Sequence, residues 1–464
     1  MEDRDEARLR RRAAASHRVR TIESAAIAGV LGLPLWWRYR RYQRLEIRDA
    51  FAVAVFGWIV VSAVSGLPFV IHGSIPSFTD AFFEMMSGYT TSGATILTDI
   101  EVVPHGLLFW RSQTHLLGGM GFLTLTVIFL PHGMGGVRIF RAESSPGQVI
   151  TKEKFIPRNR DTMIWLCGIY LTLNVLETAL LCFGGMSLFD SLCHSFGTVS
   201  TSGYSPKNAS IGHYNSAYFD WVITLFMFLA GVNFSLHYLA LRGKLGDFIR
   251  NEEFLFFSGL AMLGTLLIAL LNMGGTYADF FDNLRYSAFQ VVSILTTTGF
   301  GTADYELWPV LCQYLLVFAM FIGGCAGSTG GGMKVARILL LFKHAHVQIY
   351  RLIHPRAVRL VKLGDRPVAK DVMQSILGFF AVYLGVFVAA SFIMAGVGMD
   401  LTSSAASVIA TLSNIGPGLG QVGPTDNYAH LPELAKGILV VCMLMGRLEL
   451  YTVLVLLLPT FWRK

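Results

Sequence analysis

Long apolar stretches alternate with short polar turns along this 464-residue chain. A helix needs roughly 20 apolar residues to cross the hydrocarbon of a bilayer. Eight stretches fit that requirement, and they begin near Phe51, Gly106, Met163, Tyr218, Phe254, Trp308, Val372 and Pro432. They form four pairs, and a shorter helical segment with a glycine turn separates the members of each pair. The pattern therefore predicts four copies of one unit: a long helix, a short helix, a turn and a second long helix.

The four turns share their residue types. Their sequences are MSGYTTSGAT around Gly93, GTVSTSGYSP around Gly203, ILTTTGFGTA around Gly299 and TLSNIGPGLG around Gly416. Two positions before the glycine stand Thr91, Thr201, Thr297 and Asn414, and immediately before it stand Ser92, Ser202, Thr298 and Ile415. One such turn could simply connect two helices, whereas four copies in register favour a common function.

The short helix before each turn is predicted to be re-entrant. About 12 residues rise only ~18 Å as an α-helix, which is too short to cross the hydrocarbon. Irregular backbone at that depth is tolerated only where protein buries it or where it lines a water-filled path. Glycine permits the positive φ angles that direct successive carbonyl groups toward one axis. Four such turns could therefore provide rings of oxygen that replace the hydration shell of a monovalent cation.

Composition indicates an integral membrane protein. Apolar residues make up 53% of the chain and charged residues 14%, which is more apolar surface than one water-soluble core can bury. The sequence has no HExxH, GxSxG or P-loop motif, so we expect neither an enzyme nor an organic cofactor. Two alternatives belong to other functional classes, a membrane-embedded enzyme and a non-transporting scaffold. Neither explains why four turns carry the same residue types in register.

The placement of the net charge of +7 predicts the orientation. Basic residues concentrate between the units: Arg138, Arg141, Lys152, Lys154, Arg158, Arg160, Arg242, Lys244, Arg250 and eight more between residues 337 and 370. By the positive-inside rule these connections are cytoplasmic, so no nucleic-acid partner is needed to explain the charge. The segments after the turns should form an acidic outer vestibule with Asp99, Glu101, Asp304, Glu306, Asp426 and Glu433, Lys207 being the main exception.

A further column of polar residues lies nine positions before the turn glycines. Its members are Glu84, His194, Gln290 and Ser407. Buried polar groups mostly satisfy their neighbours, so we interpret these residues as hydrogen-bond partners that hold each pore helix in place. A role as ion ligands is the less favoured interpretation.

Two features are expected on the cytoplasmic side of the turns. The segment GGCAGSTGGGMKVAR, residues 323–337, interrupts the second long helix of the third unit and predicts a flexible plug or hinge, with close helix packing as the alternative. Arg447 is placed near the middle of the last apolar stretch, where an arginine is costly unless it faces a wet cavity or a partner. Pairing with Glu449 is not expected, because residues two apart point to different faces of a helix.

These residues resemble the Trk/Ktr/HKT superfamily of potassium transporters, and within it the TrkH-type membrane subunit of bacterial Trk systems. The resemblance is carried by DAFFEMMSGYTTSGAT, GGCAGSTGGGMKVARILLLFK, SNIGPGLG and GRLELYTVLVLLLPTFWRK. It implies an all-α membrane fold of four pseudo-symmetric repeats around a central ion pore. It also implies a homodimer in the bacterial cytoplasmic (inner) membrane and a cytoplasmic nucleotide-binding regulatory subunit of the TrkA type.

The resemblance assigns roles to individual residues. The selectivity filter would bind K⁺, the transported ion, through the backbone carbonyls of Thr91, Ser92, Thr201, Ser202, Thr297, Thr298, Asn414 and Ile415, with Gly93, Gly203, Gly299 and Gly416 permitting the geometry. The gate would consist of Gly323, Gly324, Gly327, Ser328, Thr329, Gly330, Gly331, Gly332 and Arg447. Family members with serine at the first filter glycine are similar to sodium-permeable transporters, so Gly93 favours potassium.

The same pattern divides the chain into segments. Residues 1–50 form a basic segment with a short apolar stretch at 22–37, and the repeats are expected at 51–145, 146–250, 251–350 and 351–464. Bacterial Trk members carry a two-helix hairpin before the first repeat, so we expect a shortened hairpin here or an amphipathic segment on the inner leaflet. The implied function is potassium uptake; symport of K⁺ with H⁺ or Na⁺, using Glu84 or His194 for coupling, is the alternative.

Overall fold

A computed structural model describes residues 34, 37–38, 47–129, 159–364 and 366–463. Most of the apolar stretch at 22–37 and most basic residues of the first connection lie outside these ranges. The first half of the described chain contains eight α-helices: α1 Ile47–His72, α2 Phe78–Tyr89, α3 His105–Phe129, α4 Asn159–Phe183, α5 Leu188–Val199, α6 Ala217–Gly231, α7 Phe234–Leu241 and α8 Leu245–Ile249. They form the first two repeats.

The second half contains nine more helices and one small hairpin. The elements are α9 Glu252–Asn272, α10 Phe280–Leu295, α11 Val310–Ile322, α12 Val335–Ile353, β1 Lys362–Leu363, β2 Arg366–Pro367, α13 Lys370–Gly396, α14 Leu401–Leu412, α15 Glu433–Leu448, α16 Leu450–Leu454 and α17 Pro459–Trp462. The strands are antiparallel, with Lys362 opposite Pro367. Short 3₁₀ turns lie at Ser210–Tyr214, Tyr305–Leu307, Gly420–Val422 and Val455–Leu457.

The first helix of each repeat is long and apolar. Helices α1, α4, α9 and α13 are long and apolar enough to cross a membrane, and only 22% to 33% of their most apolar windows is buried inside the protein. The remaining surface carries exposed apolar side chains such as Val53 and Phe392, which lipid would cover. The all-α, four-repeat membrane architecture expected from the sequence is confirmed by this arrangement.

The second helix differs between repeats, and the sequence analysis predicted an interruption only in the third. In the second repeat α6 and α7 meet at 99°, and in the fourth α15 and the residues after it bend by 119°. In the third repeat α11 ends at Ile322, before the glycine run, as the sequence predicted. The breaks at Asn233 and Glu449 were not anticipated, because neither is preceded by a run of glycines.

The four short helices α2, α5, α10 and α14 are the predicted re-entrant pore helices. Each begins at a side chain that accepts the backbone N–H three residues later, and these N-caps are Ser77, Ser187, Asp279 and Asp400. Such a cap satisfies an N–H group that the first turn of a helix leaves without a partner. The caps fix where the pore helices start and therefore where their C-terminal turns are placed.

Candidate functional site

All four pore helices end in the same unusual backbone conformation. The residue two positions before each turn glycine is left-handed, with φ of 53° at Thr91, 54° at Thr201, 62° at Thr297 and 56° at Asn414. This conformation is uncommon for a residue with a Cβ atom, and above all for a β-branched one. Hydrogen bonds hold it: the next N–H returns to the pore helix at 2.8 Å in every repeat, from Ser92 to Ser87, Ser202 to Gly197, Thr298 to Ser293 and Ile415 to Ala410.

The turn glycines show that the four turns form a closed ring. Their φ angles lie between 75° and 101°. A Cβ atom added to each would strike a carbonyl oxygen of the next repeat: at Gly93 it would lie 2.2 Å from Ser202 O, at Gly203 2.2 Å from Thr298 O, at Gly299 1.8 Å from Ile415 O and at Gly416 2.7 Å from Ser92 O. The fourth turn thus contacts the first, and each glycine leaves room for a neighbouring carbonyl group.

Further bonds join the first and fourth repeats. The Asn414 Nδ2 donates to Ser92 Oγ at 2.8 Å and to Met443 O at 2.9 Å. The Tyr428 N–H donates to Thr95 O at 2.8 Å. Asn414 therefore stabilises the turns of two repeats at once, which the threonines at the equivalent positions are too short to do in this way.

A cavity of about 140 Å³ opens on the outer side of the ring and is lined by all four turn glycines. Of the six acids predicted to form an outer vestibule, all within the described part of the chain, only Asp426 lines it, together with Arg111 and Lys207. Glu306 instead accepts the Gly420 N–H at 2.5 Å, and its partial burial raises the pKa of its carboxyl group. Asp426 is thus the member of the predicted vestibule that lines this cavity, and the wider acidic vestibule stays a prediction.

Glu84 is tied into a buried ion pair behind the first turn. The Arg111 Nε lies 2.7 Å from Glu84 Oε1, and both side chains are at most 2% exposed. The same carboxylate accepts the Ile96 N–H at 2.8 Å and the Thr95 hydroxyl at 2.9 Å. Arg111 also donates to Ser205 O at 3.0 Å, beyond the second turn. Nothing in the sequence around Arg111 singled it out, because its partner lies 27 residues earlier.

The equivalent residues in the other repeats hold the same segment by other means. His194 Nε2 lies 3.0 Å from Ser205 Oγ, and Gln290 Nε2 donates to Ala303 O at 3.0 Å. Ser407 differs, since its hydroxyl bonds to Ser404 O within its own helix. Three members of the polar column therefore act as the hydrogen-bond partners that the sequence analysis favoured.

Buried tyrosines, which the sequence analysis missed, bond to the backbone beside the turns. The Tyr204 hydroxyl donates to Glu84 O at 2.6 Å, which joins the second repeat to the first. The Tyr305 hydroxyl donates to Gly418 O at 2.7 Å and the Tyr428 hydroxyl to Gly416 O at 2.6 Å. The hydroxyl groups of these rigid side chains thus fix the position of the backbone on either side of the turns.

The glycine run forms a loop, residues 323–334, packed under the ring. The Gly331 N–H donates to Thr297 Oγ1 at 2.6 Å, and the Thr329 hydroxyl donates to Val199 O at 3.0 Å. A Cβ atom on Gly331 would lie 2.1 Å from Ser413 O. The loop therefore touches the C-terminal ends of three pore helices, α5, α10 and α14.

The remaining loop residues make these contacts possible. Gly323, Gly327 and Gly332 have φ of 79°, 72° and 72°. A Cβ atom on Gly324 would lie 2.9 Å from Ser328 Oγ, and one on Gly330 would lie 2.9 Å from Thr296 O. The loop is thus a defined, close-packed structure. Its contacts are made by glycine backbone, because a side chain at these positions would not fit.

Arg447 meets this loop. It is 2% exposed and donates to Thr329 O at 2.8 Å and to Gly118 O of α3 at 3.1 Å. Arg447 lies in the central part of the broken span from Glu433 to Leu457, one residue before α15 ends at Leu448. Glu449 pairs with Arg337 on α12 at 2.5 Å.

The candidate ligands for a cation are backbone oxygens. In the part of the chain that the structure describes, no cluster of three or more His, Cys, Asp or Glu side chains is positioned to bind a metal ion. The ring of turns instead brings four carbonyl groups, those of Ser92, Ser202, Thr298 and Ile415, to the seams between repeats. Uncharged oxygens of this kind suit a weakly held monovalent cation better than a tightly bound divalent one.

Known proteins match both the sequence and the fold. Residues 17–464 match the TrkH family, described as cation transport proteins. The Trk system potassium uptake protein TrkH of Salmonella typhimurium is 42% identical over 446 residues, which cover 94% of this chain and 91% of that protein. The TrkH of Halomonas elongata is 41% identical over 429 residues, covering 91% and 87%.

A solved structure gives the same result. The crystal structure of the potassium transporter TrkH from Vibrio parahaemolyticus superposes with a TM-score of 0.87 at 37% identity, covering 97% of this chain and 93% of that one. The shared fold, the extent of the match and the four-turn ring agree. The chain is a multi-pass membrane protein that belongs to the TrkH family of cation transport proteins.

Proposed function

We propose that this protein takes up potassium through the ring formed by its four turns. The observation that carries the proposal is the closure of the ring, in which each turn glycine accommodates a carbonyl oxygen of the next repeat. Its relatives are named as potassium uptake proteins, which supports the same ion. The membrane potential drives the cation inward, because moving one charge across 100 mV releases about 2.3 kcal/mol.

The filter in this proposal consists of main-chain carbonyls. Its ligands are those of Thr91, Ser92, Thr201, Ser202, Thr297, Thr298, Asn414 and Ile415. Each turn has a left-handed residue and, two positions later, a glycine with positive φ, and this supports the assignment because positive φ at alternate positions directs successive carbonyl groups toward one axis. Carbonyl dipoles replace water around the ion without the strong binding that a carboxylate would impose.

The gate consists of the loop at residues 323–334 and Arg447. A guanidinium group this deeply buried repels a passing cation, since charges interact strongly where water is scarce. Its bond to Thr329 O supports a joint movement of loop and arginine. Opening then requires the loop to leave its contacts with the pore-helix ends.

Selectivity is tested by ⁸⁶Rb⁺ uptake into vesicles containing the purified protein. We expect K⁺ to compete strongly with ⁸⁶Rb⁺ and Na⁺ to compete weakly. Gly93→Ser should lose conduction or admit Na⁺, because its Cβ meets Ser202 O. Equal competition by Na⁺ and K⁺ in the native protein would refute potassium selectivity.

The gate is tested by Arg447→Ala in the same assay. Removing the charge and its bond to the loop should raise uptake about tenfold, the effect of losing one charge-assisted hydrogen bond. Arg356→Ala, which removes an exposed arginine, serves as the control. Unchanged uptake after Arg447→Ala would exclude this residue from the gate.

Coupled symport is less well supported than a pore. Glu84 is fixed by Arg111, and both nitrogens of His194 lie within hydrogen-bonding distance of an oxygen atom. Neither group is placed to exchange ions with the pathway. Reversal potentials under imposed H⁺ and Na⁺ gradients should follow K⁺ alone; a shift with either other gradient would favour symport.

The proposal includes an assembly. The assembly is a homodimer in the bacterial inner membrane, controlled by a TrkA-type nucleotide-binding subunit; the name of the Trk system in the relatives supports association with other Trk components. Cross-linking in native membranes and copurification with the regulatory subunit test it.

A further inference from the structure

Two adjacent glutamates at the start of α9, Glu252 and Glu253, contact different parts of the protein. Glu253 is 4% exposed, and its Oε1 accepts the Ala326 N–H at 2.5 Å. Ala326 belongs to the glycine loop. The first helix of the third repeat therefore holds the loop that interrupts the second helix of the same repeat.

Three charged side chains bond to the backbone of the loop, two from other elements and one, Lys334, from the end of the loop itself. Besides Glu253, the Lys334 ammonium group donates to Gly330 O, and Arg447 donates to Thr329 O at 2.8 Å. Lys334 also interacts electrostatically with Glu253. The two cations bind carbonyl groups while the carboxylate binds an N–H group, so both donors and acceptors of the loop backbone are used.

Glu252 makes its contacts outside the loop. Its Oε1 pairs with the Lys343 ammonium group on α12, and its Oε2 accepts the Gly364 N–H at 2.7 Å, in the turn between β1 and β2. Lys343 in turn donates to Lys362 O at 2.9 Å. One helical turn of α9 thus connects the glycine loop with α12 and with the hairpin.

From this geometry we propose that Glu253 is a positioning residue that holds the glycine loop across the ion pathway, and that Glu252 links the loop to α12 and the hairpin. The inference rests on the proposed gate. A displacement of α12 or the hairpin would move the first turn of α9 through Glu252. Glu253 would then leave the Ala326 N–H, and the loop would lose one of its three charged contacts.

The test measures ⁸⁶Rb⁺ uptake by the purified full-length protein in vesicles, without any regulatory subunit. Glu253→Ala should raise uptake about tenfold. The substitution removes a hydrogen bond to a charged group that exists only in the closed state, and it therefore destabilises that state alone. Glu253→Gln keeps an oxygen acceptor but not the charge, so uptake should rise about threefold. Asp247→Asn is the matched control, an exposed carboxylate in the first turn of α8.

Arg447→Ala separates the possible failures. If it raises uptake while both Glu253 variants behave as the native protein, the role of Glu253 is refuted and the gate stands. If neither Arg447→Ala nor the Glu253 variants change uptake, the gate and the inference both fail. If Glu253→Ala does not fold, as judged by its melting in detergent, Glu253→Gln decides.

The link to Glu252 is tested by combining substitutions. Glu252→Gln should raise uptake about threefold, and the double variant with Glu253→Ala should match Glu253→Ala alone, because both act through one contact. Independent, multiplying effects would overturn the link.

Discussion

Four residues with side chains adopt a conformation that glycine would reach at lower cost. Each left-handed position at Thr91, Thr201, Thr297 and Asn414 costs on the order of 1 kcal/mol or more. The cost is tolerated because the next N–H group bonds back to the pore helix. The hydrogen bond at the end of each pore helix therefore holds the turn conformation.

Adding one methyl group at a turn glycine should disrupt the ring. In Gly299→Ala the Cβ would lie 1.8 Å from Ile415 O, so we expect at least a tenfold loss of ⁸⁶Rb⁺ uptake. Gly385→Ala is the control, because its Cβ meets nothing within 4 Å in exposed helix α13, where alanine is favoured by about 0.5 kcal/mol. Native uptake in Gly299→Ala would contradict the closed ring.

Breaking the Glu84–Arg111 pair should destabilise the protein strongly. Glu84→Gln leaves a buried guanidinium group without its carboxylate, at a cost of about 3 kcal/mol. Asp282→Asn breaks an ion pair in which Asp282 is 54% exposed, and should cost less than about 1 kcal/mol. The melting temperatures of the two variants in detergent measure both losses of stability. Equal decreases would mean that burial does not strengthen the Glu84–Arg111 pair.

At the scale of the element, the pore helices depend on their caps. Hydrogen bonds from Ser403 lower the pKa of the Asp400 carboxyl group, which caps α14. Since the folded pKa is lower than the unfolded one, the ionised cap stabilises the helix above about pH 4, and this contribution is lost as the pH falls through the folded value.

Substitutions at the cap should follow that dependence. Asp400→Ala should lose about 1 kcal/mol at pH 7, whereas Asp400→Asn should remain close to the native protein. Melting in detergent at pH 7 and at pH 3 measures both. A native protein that keeps its full advantage over Asp400→Ala at pH 3 would show that ionisation plays no part.

The sequence predicted those elements whose causes are local. The short pore helices, their glycine turns and the interrupted helix of the third repeat are all visible as patterns of neighbouring residues. The breaks at Asn233 and Glu449 have distant causes: the Phe234 N–H bonds to Gly327 O of the loop, and Glu449 pairs with Arg337. Arg111 was not predicted for the same reason, because its partners Glu84 and Ser205 are distant in the sequence.

At the scale of the whole molecule, the four seams of the ring are not equal. The seam between the fourth and first repeats joins segments at opposite ends of the sequence. It is held by the Asn414–Ser92 bond, the Tyr428–Thr95 bond and an ion pair of 2.5 Å between Lys436 and Asp80. These contacts replace the covalent connection that the other three seams possess.

Weakening this seam should open the ring. Lys436 is 5% exposed and Asp80 28% exposed, so Lys436→Gln should cost about 2 kcal/mol, between the values for surface and buried pairs. Lys370→Gln removes an exposed lysine as the control. Melting in detergent and Na⁺ competition report the loss of stability and of selectivity; no change in either would mean that the seam is held by packing alone.

The order of the turns around the ring has a consequence for biosynthesis. Because neighbours in the ring are also neighbours along the chain, the ribosome delivers the four repeats in sequence, and the last one completes the ring. The glycine loop belongs to the third repeat and precedes the fourth. With the gate that we propose, a newly made chain would contain the closing loop before the ring is complete, which would limit leakage through the membrane during insertion.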